Sequence, residues 1–349
     1  MDDRKFVLIP KKVRVEDFSA LEPEFKVVEP ADYDSEFTEA ELDEILPQTA
    51  AIVAITEINA KMIAKALSLK TIVANGAGYD NIDITAANAL KIPVINIPDA
   101  TAQSTAELAL ALMLNVSRRI SELDRKIRRA GSAVESLFAI GSNPGHNLFG
   151  KTLGIIGLGH IGMTLAEFCW PLRMNIQYYN RNRLPMAKEK SIRYASFDEL
   201  LATSDIISIH CPVNDQSRNL FNHETFSKMK DGAILINTAR GAIVDHQALM
   251  DALLSGKLGG AAIDVYPDEP RIPEGLTKFD RVVLTPHIGT NTVETRAGMA
   301  AAIMDVIRTV CLSDTAAPYR NTVNPEIYQK SSRSTPADEP VDENIEKEA

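Results

Sequence analysis

The sequence predicts an α/β protein made of two doubly wound parallel-sheet domains, and three observations carry that expectation. At 349 residues the chain is long enough for two domains that each bury a core. Strand-like and helical runs alternate both before residue 100 and after residue 150, as parallel strands joined by crossover helices require. At the start of the second stretch, Leu153-Gly154-Ile155-Ile156-Gly157-Leu158-Gly159-His160-Ile161-Gly162 passes from an apolar strand through spaced glycines into a helical pattern over 163–170.

Taken in order, a strand is expected over 6–10 and another at 27–28, followed by a helix near 38–46 and a strand over 51–55. A helix over 59–67, a strand over 71–74, a helix over 82–90 and a strand over 93–96 continue the alternation. After the strand at 71–74, the loop Asn75-Gly76-Ala77-Gly78-Tyr79-Asp80 falls at the carboxyl edge of the sheet. Its N–H groups can hold a small carboxylate there, although an ordinary tight turn reads the same way. One long helix is expected over 101–129, its apolar face formed by Ala106, Leu108, Ala109, Leu112, Met113 and Val116, leading from the first domain into the second. Residues 131–150, rich in Gly, Ser, Asn and Pro, read as an arm or linker.

The second domain is expected to place strands near 152–156, 174–179, 205–209, 233–237, 260–263 and 281–284. Ser196 with Glu199 marks one helix start, and Asp245 opens another that Gly256 closes. A helix over 292–312 follows, and residues to about 328 return toward the first domain. The polar, acidic segment 329–349 reads as a disordered tail.

A net charge of −10 argues against nucleic acid or an anionic membrane surface as the main partner, while leaving a small anionic substrate open. Cys169, Cys211 and Cys311 show no CxxC spacing, so no disulfide framework and no metal site is expected. No run approaches the ~20 apolar residues of a membrane helix, and the first residues lack the pattern of a targeting peptide, so a cytoplasmic location is expected.

In the glycine stretch, Gly157 makes the turn, Gly159 lets the backbone approach a pyrophosphate, and Gly162 lets the helix pack on the strand. About 20 residues on, an acid would bind an adenosine ribose 2′-OH and repel a 2′-phosphate. Asn180 stands at that place, with Arg181 and Arg183 beside it. A neutral amide with two guanidiniums favours NADP(H) over NAD(H), with NAD(H) still possible, and a plain solvated turn is the alternative.

Three predicted strand ends carry polar groups toward the ligand edge: Arg240 after 233–237, Asp264 and Glu269 after 260–263, and His287 after 281–284. Together they suit reduction of a 2-oxo acid. Arg240 fixes the carboxylate and polarises the carbonyl, His287 donates the proton, Glu269 orients the imidazole, and Asp264 holds the nicotinamide amide. Singly, each has a bland reading as a loop histidine, a surface acid or a helix-end ion pair.

These residues resemble the D-isomer-specific 2-hydroxyacid dehydrogenase family, and more closely its fungal and other glyoxylate/hydroxypyruvate reductase branch. The match covers about 45–312 and is most specific at 75–83, Ser104-Thr105-Ala106-Glu107, the glycine stretch, 237–241, 264–270 and 285–289. The resemblance implies two Rossmann-like domains: a discontinuous substrate domain (1–101 and 290–328) and a dinucleotide domain (102–289). It assigns catalysis to Arg240, Glu269 and His287, and substrate-carboxylate amides to Ala77 and Gly78. Cofactor contacts fall on Thr105, His160, Ile161, Cys211, Pro212, Thr238, Asp264 and Gly289. It also implies a homodimer joined through the dinucleotide domain, with a role for the arm. This chain departs from the family at Asn180, where an aspartate is common, and at Thr290, where serine or alanine is usual. The arm lacks a tryptophan, with Phe138 the nearest aromatic. The function implied is NADPH-dependent reduction of glyoxylate or hydroxypyruvate to the (R)-2-hydroxy acid. The alternatives are a reductase of bulkier aromatic or branched 2-oxo acids and a cofactor-sensing, corepressor-like binding protein.

Overall fold

The computed structural model describes residues 4–131, 134–313 and 318–328. The expected tail over 329–349 lies outside the described residues. Among the described residues, twelve strands form two sheets in which every pair is parallel.

The first sheet contains β1 (Phe6–Leu8), β2 (Lys26–Val28), β3 (Thr49–Ala54), β4 (Thr71–Ala74) and β5 (Val94–Ile95), in the order β2-β1-β3-β4-β5. The chain runs outward from β1 to β2 and then returns to the other side of β1, so a crevice opens between the loops after β1 and β3. Both faces are covered, which explains strands that are apolar throughout: Val7, Val53 and Val73 enter one core, Leu8, Ile52 and Ile72 the other. The crossovers are α1 (Glu39–Ile45), α2 (Ala60–Lys65) and α3 (Ile84–Ala89), and their starts are capped by the side chains of Thr38, Asn59 and Asp83.

The expected single helix over 101–129 is two helices, α4 (Pro98–Arg118) and α5 (Ile120–Ala130). Arg119 adopts a left-handed φ of 58° between them. Asn115 holds the break, accepting from Ser121 N–H at 2.9 Å and donating to Ser121 Oγ at 2.8 Å. No glycine or proline marks this corner, so periodicity runs through it unbroken. Among its described residues the arm contains a 3-10 turn, Glu135–Phe138.

The second sheet contains β6 (Thr152–Ile156), β7 (Asn175–Tyr179), β8 (Arg193–Tyr194), β9 (Ile206–Ile209), β10 (Ala233–Asn237), β11 (Leu258–Ile263) and β12 (Val282–Leu284). Its order is β12-β11-β10-β9-β6-β7-β8, which puts the topological switch between β6 and β9. The two-residue β8 was not anticipated, being too short to show a period. Helices α6 (His160–Cys169), α7 (Met186–Glu189), α8 (Phe197–Thr203), α9 (His223–Lys228) and α10 (His246–Leu254) cover the faces, with Ser196 and Asp245 as caps.

Finally α11 (Val293–Leu312) packs against β3, β4 and α4. Residues 322–324 reach the edge of β5: Val323 N–H donates to Val94 O at 2.8 Å, and buried Asn324 accepts from Val94 N–H at 2.8 Å. Helix α4 touches α11 on one side and α6, β10 and β11 on the other, so one helix braces both sheets. Among the described residues no helix is long and apolar enough to cross a membrane.

At the start of α5, buried Glu122 receives Arg119 at 2.6 Å and Lys126 at 2.6 Å. The hydrogen bond from Arg119 outweighs burial and holds its carboxyl at about 2, below the usual 4.5. A depressed carboxylate contributes its stability in full above the unfolded value and loses it as pH falls toward the folded one. Glu122→Gln is therefore expected to cost about 1–3 kcal/mol near neutral pH. Urea denaturation across a pH series should show the gap to wild type shrinking between about 4.5 and 2; a constant gap would contradict this account.

Candidate active site

The carboxyl ends of the two sheets face one cleft of about 1410 Å³, larger than the ~300–1,000 Å³ of a pocket for one small ligand. The neighbours β10, β11 and β12 are in step: Asn237 pairs with Ile263, and Ile263 with Leu284. The segments leaving these strands therefore emerge side by side, which brings Arg240, Glu269 and His287 to the same cleft.

His287 Nδ1 lies 2.8 Å from Glu269 Oε2, and Glu269 Oε1 accepts the Tyr266 N–H at 2.9 Å. Burial disfavours ionisation of Glu269, but the bonds from His287 and Tyr266 win and hold its carboxyl below its ordinary value. With Nδ1 committed to a carboxylate, Nε2 is the imidazole nitrogen left for a ligand.

Asp264 is fully buried and organises the turn that carries His287. Its Oδ1 accepts from Thr285 Oγ1 at 2.6 Å and from Ile288 N–H at 2.9 Å, and its Oδ2 accepts from Gly289 N–H at 3.0 Å. Its backbone carbonyl accepts the His287 N–H at 2.8 Å, with His287 at a left-handed φ of 52°. Thr105 Oγ1 reaches Gly289 O at 3.3 Å from α4. The sequence suggested Asp264 as a ligand contact; its bracing of 285–289 was not anticipated, because it depends on β11 lying beside β12.

Arg240 is shaped by Asn237, which accepts the Ala239 N–H at 3.0 Å and donates to Arg240 O at 2.9 Å. Arg240 Nε crosses the cleft to Asp80, at 2.9 and 3.1 Å from its two oxygens. A Cβ on Gly78 would sit 1.6 Å from Arg240 Nη2, so only glycine lets the guanidinium lie against that loop. Asn96 donates to Ala77 O at 2.7 Å and Ile97 N–H to Gly76 O at 3.0 Å, turning the loop's carbonyls inward. Arg240 and the Ala77–Gly78 peptide are thus neighbours. Asp80 and Asn237 were missed as site residues: Asp80 meets Arg240 only across the cleft, and Asn237 acts by folding the turn that follows it.

The dinucleotide candidates surround the β6/β9 switch. Gly157 has φ +99°, and a Cβ there would lie 2.5 Å from Cys211 N; one on Gly162 would lie 2.5 Å from Gly157 O. A Cβ on Gly159 would meet nothing within 4 Å, so the turn is open where a pyrophosphate would approach the N-terminus of α6. Thr238 Oγ1 is buried without a protein partner, an orphan that a bound cofactor would satisfy. Ile161, Thr105 and Gly289 line the same cleft. Pro212 O accepts from Ser217 Oγ at 2.7 Å, which shapes the loop after β9. His160, the first residue of α6, pairs with Asp99 at 2.9 Å.

The loop after β7 divides the expected cofactor residues. Asn180 Oδ1 accepts the Leu158 N–H at 2.7 Å and braces the glycine turn. Arg181 bonds to neutral Gln216 at 2.6 Å, so its charge is uncompensated. Arg183 is instead held by Glu189 at 2.8 and 3.1 Å, and Glu189 also accepts from Tyr178 OH at 2.6 Å. Its charge is thereby neutralised, and the two arginines expected to act together do not. Among the other histidines, His210 is buried on Ser208 at 2.8 Å, and burial pushes its pKa down to about 4.

Residues 110–289 match the family model described as D-isomer specific 2-hydroxyacid dehydrogenase, NAD binding domain. Glyoxylate reductase 1 of Saccharomyces cerevisiae is 40% identical over 239 residues, covering 68% of each chain. The glyoxylate reductase of Thermococcus litoralis is 41% identical over 268 residues, 75% of this chain and 80% of its own. The crystal structure of a glyoxylate reductase from Paecilomyes thermophila superposes with a TM-score of 0.79 at 34% identity, covering 88% of this chain and 95% of that one. A glycine turn at the switch point, a strand-end histidine on a carboxylate and an arginine beside an amide loop thus stand in a chain whose likeness to a solved glyoxylate reductase covers 88% of its length. It belongs to the D-isomer-specific 2-hydroxyacid dehydrogenase family of NAD(P)-dependent oxidoreductases.

Proposed function

We propose that the protein is an NADPH-dependent reductase of small 2-oxo acids, glyoxylate and hydroxypyruvate foremost, that forms the (R)-2-hydroxy acid wherever the product is chiral. The observation that carries this reading is the convergence of the His287–Glu269 pair and Arg240 on one cleft. The Ala77 and Gly78 amides and the free edge of Arg240 grip the substrate carboxylate and turn its carbonyl toward His287. His287 gives its Nε2 proton to the carbonyl oxygen, and Glu269, bonded to Nδ1, steers its ring. Bound nicotinamide supplies the hydride that completes the C–H bond. The sum is 2-oxo acid plus NADPH plus a proton giving 2-hydroxy acid plus NADP⁺, with His287 reprotonated from solvent.

The preference for NADPH rests on Arg181 and on an amide at 180, which offers a donor where a carboxylate would repel a phosphate. Arg183 adds nothing, being neutralised by Glu189. In this reading residues 1–101 and 290–328 bind the substrate and 102–289 the cofactor. Exposed Phe138, Ile140 and Phe149 give the arm an apolar surface fit for a homodimer contact.

His287→Ala is expected to lower kcat by about 100- to 10,000-fold while NADPH still quenches or shifts protein fluorescence as in wild type; retained turnover would remove the proton-donor role. Arg181→Ala should raise KM for NADPH about tenfold and leave that for NADH within about twofold, and equal shifts in initial-rate assays would refute the phosphate contact. Gly78→Ala should raise KM for glyoxylate at least about tenfold by displacing Arg240, with the fold checked by circular dichroism; an unchanged KM would count against carboxylate binding there.

A further inference from the structure

The cleft carries more positive charge than one small carboxylate uses. Four of its cationic side chains have a carboxylate: Lys11 faces Glu36 at 3.8 Å, Lys12 faces Glu29 at 2.7 Å, Arg240 faces Asp80 at 2.9 Å and Arg296 faces Glu16 at 3.0 Å. Arg14 and Arg218 line the same cleft, one from each sheet's side, and neither has an acidic partner within 4.0 Å among the described residues. In a chain of net charge −10, two such guanidiniums in one concavity form a local field for an anion.

Arg14 sits in the loop after β1, at the switch point of the first sheet, where open α/β sheets bind ligands. Its guanidinium carbon lies over the Tyr33 ring, 4.3 Å from the centroid, a cation–π contact that holds the side chain without neutralising its charge. The loop is anchored two residues on by Glu16, whose side chain is fully buried and bonded to Arg296 and, at 3.4 Å, to Asn75. Asn75 begins the loop of Ala77 and Gly78, so Arg14 and the carboxylate-binding amides hang on one network. Arg218 projects from the segment after β9. Neither arginine is used by the proposed chemistry.

We propose that Arg14 and Arg218 form a second anion site for the far end of the substrate, which extends the range beyond glyoxylate and hydroxypyruvate to 2-oxo acids with a distal carboxylate or phosphate. This rests on the reading above, in which Arg240 and the amide loop hold the first carboxylate. Guanidinium forks match either anion with two parallel hydrogen bonds.

The test is steady-state reduction by the full chain with saturating NADPH, using two pairs of acids. The first is 2-oxoglutarate against 2-oxopentanoate, equal in carbon number; the second is 3-phosphohydroxypyruvate against hydroxypyruvate. Wild type should favour the charged member of at least one pair by about tenfold in kcat/KM, and Arg14→Gln and Arg218→Gln should each remove most of that through KM, with the uncharged member changed less than about twofold. Preference within the first pair alone names a carboxylate, within the second alone a phosphate, and each supports the site. Equal rates within both pairs, or variants that shift both members alike, overturn it. If no 2-oxo acid is turned over, the reductase reading fails by itself. Calorimetric binding of 2-oxoglutarate and 2-oxopentanoate to the NADPH complex then decides: tighter dianion binding lost in Arg14→Gln supports the second site, and equal binding overturns it.

Discussion

The buried carboxylate of Asp264 is the constraint on which the cleft depends. A fully desolvated carboxylate is costly unless its lone pairs are met, and three donors meet them here, from Thr285, Ile288 and Gly289. All three belong to the segment leaving β12, so solvating the charge and shaping that segment are one event. The turn leaves His287 in left-handed backbone conformation and within 2.8 Å of Glu269. Thr105 ties the far side of the same turn to α4, the helix that also braces the first sheet.

Around that turn the architecture is two switch points facing each other. In each sheet the chain leaves its first strand in one direction and returns on the other side, which opens a crevice at the carboxyl edge. Helix α4 packs on the second sheet through β10, β11 and β12 and on α11, which in turn packs against β3 and β4. Across the gap, Asp80 from one side takes Arg240 from the other. That ion pair fixes the plane of the guanidinium against Gly78.

Much of this was legible in the sequence. Strands buried on both faces are apolar throughout, so alternation with helices announced two parallel sheets, as observed. The glycine stretch was readable because two of its glycines answer a steric demand, seen where a Cβ at 157 would strike Cys211 and one at 162 the Gly157 carbonyl. Arg240, Glu269 and His287 could be picked out because each follows an apolar strand run. The corner at Arg119 could not, since a left-handed arginine held by a neighbouring Asn115 leaves no compositional mark. Nor could the fate of Arg183, whose neutralising partner Glu189 is known only once α7 folds back on it.

By itself the sequence determined the parallel-sheet class, the glycine turn and the identities of the groups at the strand ends, because periodicity and local sterics act over a few residues. Tertiary structure alone decided which groups meet. It placed Asp80 on Arg240, Asn180 on the glycine turn and Asp264 on the histidine segment, and among the described residues it left Arg181, Arg14 and Arg218 without acidic partners. Charge pairing depends on distances of a few ångströms between residues far apart in the chain, and those distances exist only after the sheets have packed.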